Sequence, residues 1–97
     1  MNIFKPLRMG YYSSFQDANT QGVFLRHESG YYYFRNTQND EHDEIVFEEV
    51  NKKVLEKYDL RTLEFKGKKF QLYYTEIMED LDDEDFIVLR LDDLELT

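Results

Sequence analysis

The chain has no cysteine, no tryptophan, one proline and four glycines in 97 residues. Without cysteine there is no disulfide, no thiolate ligand for a metal and no cysteine nucleophile. Small secreted domains usually contain disulfides, so this absence favours a cytoplasmic location. The glycines lack the spacing of a phosphate-binding loop, and no serine lies in a Gly-x-Ser-x-Gly turn. We therefore expect a protein that is not an enzyme and that uses no cofactor.

Long apolar runs are also absent. Lys5 and Arg8 lie near the N-terminus, but no apolar segment follows them, so we expect no secretory signal. No stretch approaches the roughly 20 apolar residues of a membrane span, and we expect no membrane association. The hydrophobic share of 41% and the eight Tyr and eight Phe suffice for a small core. We expect residues 1–97 to form a single domain.

Positive charge is scarce. The chain carries 12 basic and 21 acidic side chains, a formal net charge of −9. The acidic residues concentrate in two blocks, residues 40–49 and 76–95, whereas residues 1–39 have a basic excess. Proteins that bind nucleic acid usually present excess Lys and Arg, so we expect nucleic acid to be an unlikely partner. A protein partner or a second copy of the chain fits this charge better.

Polar and apolar residues alternate with a period of two along much of the chain, which indicates β-strands. The first two strands are predicted over residues 22–27 and 31–35. Ser29 and Gly30 lie between them and predict a hairpin turn, because glycine readily adopts a positive φ. A third strand is predicted over residues 45–50.

The period changes at residues 52–58, which predict a short helix. Asn51 precedes it and is a favourable N-cap, because its side-chain oxygen accepts a hydrogen bond from the first turn. Val50 and Leu55 have the spacing of a hydrophobic staple. A helix of two turns is unstable alone and must pack on the sheet.

Two more strands are predicted after the helix, over residues 70–75 and 86–91. The acidic residues 76–85 between them predict a loop. Leu94 continues the inward face of the last strand only if residues 92–93 form a bulge.

This order of elements predicts a mainly β protein. Three strands, a short helix and two strands match a small antiparallel barrel of five or six strands, similar to the oligonucleotide/oligosaccharide-binding (OB) barrel. An open α+β sheet with one helix is the alternative. Residues 1–19 are expected to form an N-terminal extension or an edge strand packed on the barrel, since Pro6 restricts a strand to an edge.

One part of the chain resembles known sequences. Residues 57–60, the run Phe65-Lys66-Gly67-Lys68-Lys69-Phe70-Gln71-Leu72-Tyr73-Tyr74 and the acidic run after it make residues 57–85 similar to the C-terminal part of small uncharacterised bacterial proteins. The resemblance implies no activity.

Aromatic and arginine residues form the most informative cluster. Tyrosine and arginine on the outer face of a barrel are typical of protein interfaces. They also stack on unpaired bases, which leaves single-stranded nucleic-acid binding as an alternative. We predict a non-enzymatic binding or assembly module whose contact residues are Tyr11, Arg26, Tyr31, Tyr33 and Arg35.

The acidic segment offers a second alternative, a calcium site or a metal-dependent enzyme. Asp80, Asp82 and Glu84 alternate as in an EF-hand loop. However, the sixth position is Asp85 instead of glycine, and the twelfth is Leu91 instead of glutamate. These three residues are weak candidates, and we expect no metal.

Overall fold

The structure, a computed structural model, describes residues 12–38, 43–81 and 84–97. These residues form six strands and one helix, and the strands join in a single sheet of order β3-β2-β1-β5-β6-β4. The elements are β1 (Tyr12–Glu28), β2 (Tyr31–Asn36), β3 (Glu44–Phe47), β4 (Glu49–Val50), α1 (Lys52–Lys57), β5 (Lys69–Leu81) and β6 (Glu84–Leu96).

The sheet curves into a half-barrel because one segment of chain lies at both of its edges. β3 and β4 are separated by Glu48 alone, yet β3 pairs with β2 and β4 pairs with β6. The backbone N–H of Glu48 also donates to the carbonyl oxygen of Leu89 at 3.2 Å. If β3 and β4 are counted as one interrupted strand, the sheet has five strands, and the helix lies between the third and the fourth strand in chain order. The predicted mainly β, barrel-like fold with one short helix is confirmed.

One strand pairing differs from the antiparallel prediction. Glu49 and Val50 run parallel to Arg90 and Leu91 of β6, so the sheet is mixed. The reason is the change of neighbour at Glu48. β3 runs antiparallel to β2, and the chain keeps the same direction as it continues into β4. In that direction β4 runs parallel to β6.

β1 is long and belongs to both halves of the sheet. It pairs with β5 from Tyr12 to Val23 and with β2 from Gly22 to Glu28. Gly22 lies where the two pairings overlap. A Cβ atom there would lie 3.1 Å from the carbonyl oxygen of Arg35 and 3.1 Å from Cδ1 of Leu72. The close approach of three strands therefore requires glycine at this position.

The predicted hairpin between β1 and β2 is confirmed. Ser29 has φ 54° and Gly30 has φ 84°. Positive φ at both central residues is the type I′ pattern, whose twist matches that of the flanking strands. Along this hairpin the register shifts between Phe24 and Arg26, which makes Leu25 a bulge residue.

The core fills the concave side of the half-barrel with aromatic rings. Phe34 is fully buried, and its ring centroid lies 5.2 Å from that of Phe24, 5.7 Å from that of Phe47 and 6.1 Å from that of Phe70. Such tilted ring pairs add to the free energy gained from burial. The other members of the buried cluster are Tyr32, Val54, Leu60, Leu72, Leu91 and Leu94.

The short helix forms as predicted. The side chain of Asn51 accepts a hydrogen bond from the N–H of Lys53 at 3.1 Å, which confirms its role as N-cap. Val54 is fully buried, and Leu55 and Tyr58 pack against the core. Since two turns cannot persist alone, these contacts hold the helix on the half-barrel.

The last turn of α1 is also bound to β6 through Lys57. Its Nζ donates to Oδ1 of Asp93 at 3.0 Å, to Oε1 of Glu95 at 2.8 Å and to the carbonyl oxygen of Leu94 at 2.9 Å. The hydrogen bonds to Glu95 and Asp93 raise the pKa of Lys57, and the hydrogen bond from Lys57 lowers the pKa of Asp93.

The prediction of a loop over residues 76–85 is wrong. β5 continues to Leu81, and β6 begins at Glu84. The two strands pair from Phe70–Leu96 to Leu81–Glu84, and β1 pairs with the other side of β5. This segment satisfies its backbone groups between two neighbours, which outweighs its acidic composition. The predicted bulge is confirmed, because Asp92 is the extra residue in the β5–β6 register.

The N-terminal prediction is partly covered by the structure. Residues 12–19 form the first part of β1 and pair with β5 on one side. Residues 1–11, which include Pro6 and the predicted contact residue Tyr11, lie outside the described residues.

Candidate binding surface

Four of the five predicted contact residues lie on one outer face of the sheet. Tyr32 and Phe34 are buried, so the alternation along β2 directs Tyr31, Tyr33 and Arg35 outward. The register adds neighbouring residues from β1 and β3 to the same face. We call this surface the β2 face; its members are Arg26, Glu28, Tyr31, Tyr33, Arg35, Glu44 and Val46.

The aromatic rings of the β2 face differ in exposure. Tyr31 is 39% exposed. Tyr33 is half-buried because the guanidinium carbon of Arg26 lies 4.1 Å from its ring centroid. A cation stacked on a tyrosine in this way is attracted by the ring quadrupole, so Arg26 and Tyr33 hold each other in place.

Arg26 on the β2 face is paired with two carboxylates. Nε of Arg26 lies 3.2 Å from Oε1 of Glu28, and its Nη1 lies 3.5 Å from Oε2 of Glu44. The hydrogen bond to Glu28 is the main cause that raises the pKa of Arg26, and Glu44 adds to it. The arginine charge is thus balanced locally by two carboxylates.

Glu28, Glu44 and Val46 were not predicted as site residues. Glu28 pairs with Tyr31, and Val46 pairs with Tyr33. Their outward alternation is visible in the sequence, but the register that sets them beside the tyrosines is a property of the folded sheet.

Two of the three acidic metal candidates, Asp80 and Glu84, lie in strands instead of a loop. Asp80 pairs with Asp85 and Glu84 pairs with Leu81 in the β5–β6 hairpin, while Asp82 lies outside the described residues. Among residues 12–38, 43–81 and 84–97, no group of three or more His, Asp or Glu is placed to hold a metal ion.

A second polar cluster, absent from the predictions, lies on the outer side of β5 and β6. Thr75 is only 2% exposed and donates its hydroxyl proton to Oδ2 of Asp92 at 2.5 Å. Nε of Arg90 donates to Oδ1 of Asp92 at 2.7 Å, and its Nη2 donates to Thr75 at 3.2 Å. The hydrogen bond to Asp92 raises the pKa of Arg90. These groups satisfy one another, as buried polar groups must.

A shallow depression of about 300 Å³ adjoins this cluster. It lies across β1, β5 and β6 next to the bulge. Its lining combines carboxylates, an amide and tyrosine rings, contributed by Asp17, Ala18, Asn19, Tyr73, Tyr74 and Asp92. Asp92 is already bound to Arg90, so Asp17 is the carboxylate of this lining that can attract a further cationic group.

The fold and these surfaces define a small, mainly β half-barrel with an aromatic outer face. No protein family, curated protein or solved structure matches the chain. In the part of the chain that the structure describes, no helix has the length and apolar character needed to cross a membrane.

Proposed function

We propose that this protein is a non-enzymatic binding or assembly module that contacts a protein partner, or a second copy of itself, through the β2 face. The observation that carries the proposal is the stack of Arg26 on Tyr33, fixed by Glu28 and Glu44. We also propose that the module acts in the cytoplasm, because the chain lacks cysteine.

Tyrosine and arginine are the side chains that most often dominate protein interfaces. Ordering such side chains costs free energy when a partner binds. On the β2 face, part of that ordering exists before binding, because Arg26 is held by one ring and two carboxylates. The exposed ring of Tyr31 lies on the same face. Protein interfaces commonly have aromatic side chains at the centre and polar groups around them. Tyr31, Tyr33 and the ion pairs of Arg26 match this arrangement.

Single-stranded nucleic acid is the second candidate. The observation that favours it is the position of the tyrosines on the outer surface of β2, since OB barrels bind oligonucleotides on the strands at this position. The paired charges of Arg26 oppose it, because phosphate binding depends on cations that lack other anions. A fluorescence titration with a short oligonucleotide at low salt tests this candidate, and no signal there rejects it.

The main proposal is tested with the double variant Tyr31→Ala/Tyr33→Ala. We expect the protein isolated from its own cells to carry a stoichiometric partner or second copy in native mass spectrometry, and the double variant to lose it. Leu96→Ala is the matched control, because Leu96 is 45% exposed but lies on β6, outside the β2 face. Equal assembly in the wild type and the double variant contradicts the proposal.

A further inference from the structure

Over the first half of β1, the described residues place a strand on one side only, and we call the other side the free edge. Residues 12–20 pair with β5 on one side, whereas pairing with β2 on the other side starts at Gly22. Among the described residues, no strand lies against that side of residues 12–20. Such an edge presents a row of backbone donors and acceptors that another chain can use.

The hydrogen bond at Gln21 shows which residues face the edge. The carbonyl oxygen of Gln21 accepts from the N–H of Thr37 at 2.9 Å, on the side away from β5. Backbone groups alternate in direction along a strand, and the β1–β5 register has no shift. The N–H and C=O groups directed to the free edge therefore belong to Ser13, Phe15, Asp17 and Asn19.

This edge lacks several of the features that usually protect edge strands. Proteins block such edges with lysine, proline, bulges or very short strands. Residues 12–20 contain no lysine and no proline, and β1 pairs with β5 without a bulge along twelve successive residues. The edge is long and regular, and its geometry suits an added antiparallel or parallel strand.

The side chains beside the edge specify the chemistry of an added strand. Phe15 is 65% exposed. Asp17 lies two residues further on the same face of the sheet, and it forms one wall of the depression with Asn19, Tyr73 and Asp92. A strand added at this edge places one side chain beside Phe15 and another beside Asp17, at a spacing of two residues.

We propose that the free edge of β1 binds an extended peptide segment of a partner protein as an added strand, with an apolar residue beside Phe15 and a lysine or arginine beside Asp17. Backbone hydrogen bonds from Phe15 and Asp17 supply affinity, and the depression receives the cationic side chain. Charge decides between a basic peptide and a second copy of the chain. A second copy aligned at this edge would add the carboxylate of its own Asp17, whereas a basic segment brings the opposite charge. This surface is separate from the β2 face.

The test uses a labelled, end-capped peptide, Thr-Lys-Thr-Lys-Thr-Val-Thr, in which one lysine pairs opposite Asp17 and the valine opposite Phe15. Fluorescence anisotropy with the full chain measures its Kd. In the matched peptide, the backbone nitrogens of both lysines and of the valine are methylated. This change removes their N–H donors and keeps the charge of the lysine side chains. We expect N-methylation to weaken binding at least about tenfold, because each lost hydrogen bond contributes on the order of 1 kcal/mol.

Two protein variants that change the net charge by the same amount complete the test. We expect Asp17→Lys to weaken binding of the unmodified peptide about tenfold. Glu56→Lys changes the same charge at an exposed position of α1, and we expect a much smaller effect. Circular dichroism confirms that both variants keep their strands.

Several results overturn the proposal. If the N-methylated peptide binds as tightly as the unmodified peptide, the binding is due to charge attraction and not to backbone hydrogen bonds. Equal weakening by Asp17→Lys and Glu56→Lys would remove the specific role of Asp17. Failure of the unmodified peptide to bind at low salt excludes this partner chemistry. A wild-type dimer in sedimentation that excludes the peptide would assign the edge to a second copy instead.

Discussion

The half-barrel and the three-stranded extension that continues from it are built from the same strands, yet apolar side chains on neighbouring strands differ in exposure between them. The extension comprises residues 12–19 of β1, 75–81 of β5 and 84–90 of β6. In the half-barrel, Phe70 and Leu94 are fully buried on adjacent strands. In the extension, Met78 and Ile87 occupy paired positions and are 38% and 57% exposed. Regular strand pairing therefore extends well beyond the core.

The difference follows from where the sheet edges meet. At the half-barrel, the segment around Glu48 joins both edges, so side chains on the concave side are enclosed. In the extension, β1 and β6 flank β5 as a three-stranded sheet, and the molecule is elongated at 52 × 31 × 22 Å. The half-barrel is stabilised mainly by burial of rings. The extension combines its backbone hydrogen bonds with the adjoining polar cluster of Thr75, Arg90 and Asp92 and with the buried side chain of Ile77.

The largest expected contrast is between two phenylalanines. Phe34→Ala removes a fully buried ring that packs on three others, and we expect the free energy of unfolding to fall by about 3–5 kcal/mol. Phe15→Ala removes a ring that is 65% exposed in the extension, and we expect a change within about 0.5 kcal/mol. Urea unfolding followed by circular dichroism measures both. Similar losses for the two variants would contradict the division into a packed and an open region.

A smaller effect is expected at the bend of β1. Gly22→Ala places a methyl group 3.1 Å from the carbonyl oxygen of Arg35, a backbone atom that cannot move away alone. We expect a loss of about 1–3 kcal/mol in urea unfolding. Gly67→Ala is a useful control, because its positive φ of 85° adds backbone strain but nothing lies within 4 Å of the new methyl group. A loss within about 0.5 kcal/mol at Gly22 would contradict the steric explanation.

The smallest effect is expected where α1 joins the half-barrel. Lys57→Gln removes ion pairs to Asp93 and Glu95 that are partly open to solvent. We expect a small fall in the urea midpoint, and a smaller one at high salt, because salt screens exposed charges. A fall that is unchanged by salt would indicate that the side chain acts through packing instead.

The pH dependence of this contact has a defined sign. The folded-state pKa of Lys57 is raised above 10.5, so its contribution is present below pH 10.5 and is lost as the pH rises further. The folded-state pKa of Asp93 is lowered below 3.8, so its contribution is present above pH 3.8 and is lost as the pH falls further. The difference in urea midpoint between the wild type and Lys57→Gln should therefore be greatest near neutral pH and shrink at both extremes.

Much of the fold could be predicted where local pattern and local chemistry agree. The turn at Ser29 and Gly30, the cap at Asn51 and the bulge at Asp92 were all predicted, because each depends on a few neighbouring residues. The outward position of Tyr31 and Tyr33 followed from a two-residue period. The prediction of a loop over residues 76–85 was wrong, because composition carries no information on whether distant strands are available for pairing.

The candidate surfaces divide in the same way. Arg26 and Tyr33 could be named as surface residues, but their stacking depends on a bulge at Leu25 that brings them to paired positions. The Thr75 cluster gave no signal in the sequence, since Asp17, Thr75 and Asp92 are far apart along the chain. Their proximity depends on the register of three strands.

The amino-acid sequence by itself determined the mainly β class, the short capped helix, the hairpin turn and the acidic, cysteine-free character of this protein. These features come from residue type and local spacing, which act within a few residues of the chain. Only the tertiary structure decided that the segment around Glu48 joins both sheet edges, that three strands continue beyond the core and that, among the described residues, the first half of β1 pairs on one side only. Those features arise from contacts between residues far apart in sequence, and such contacts exist only once the sheet has formed.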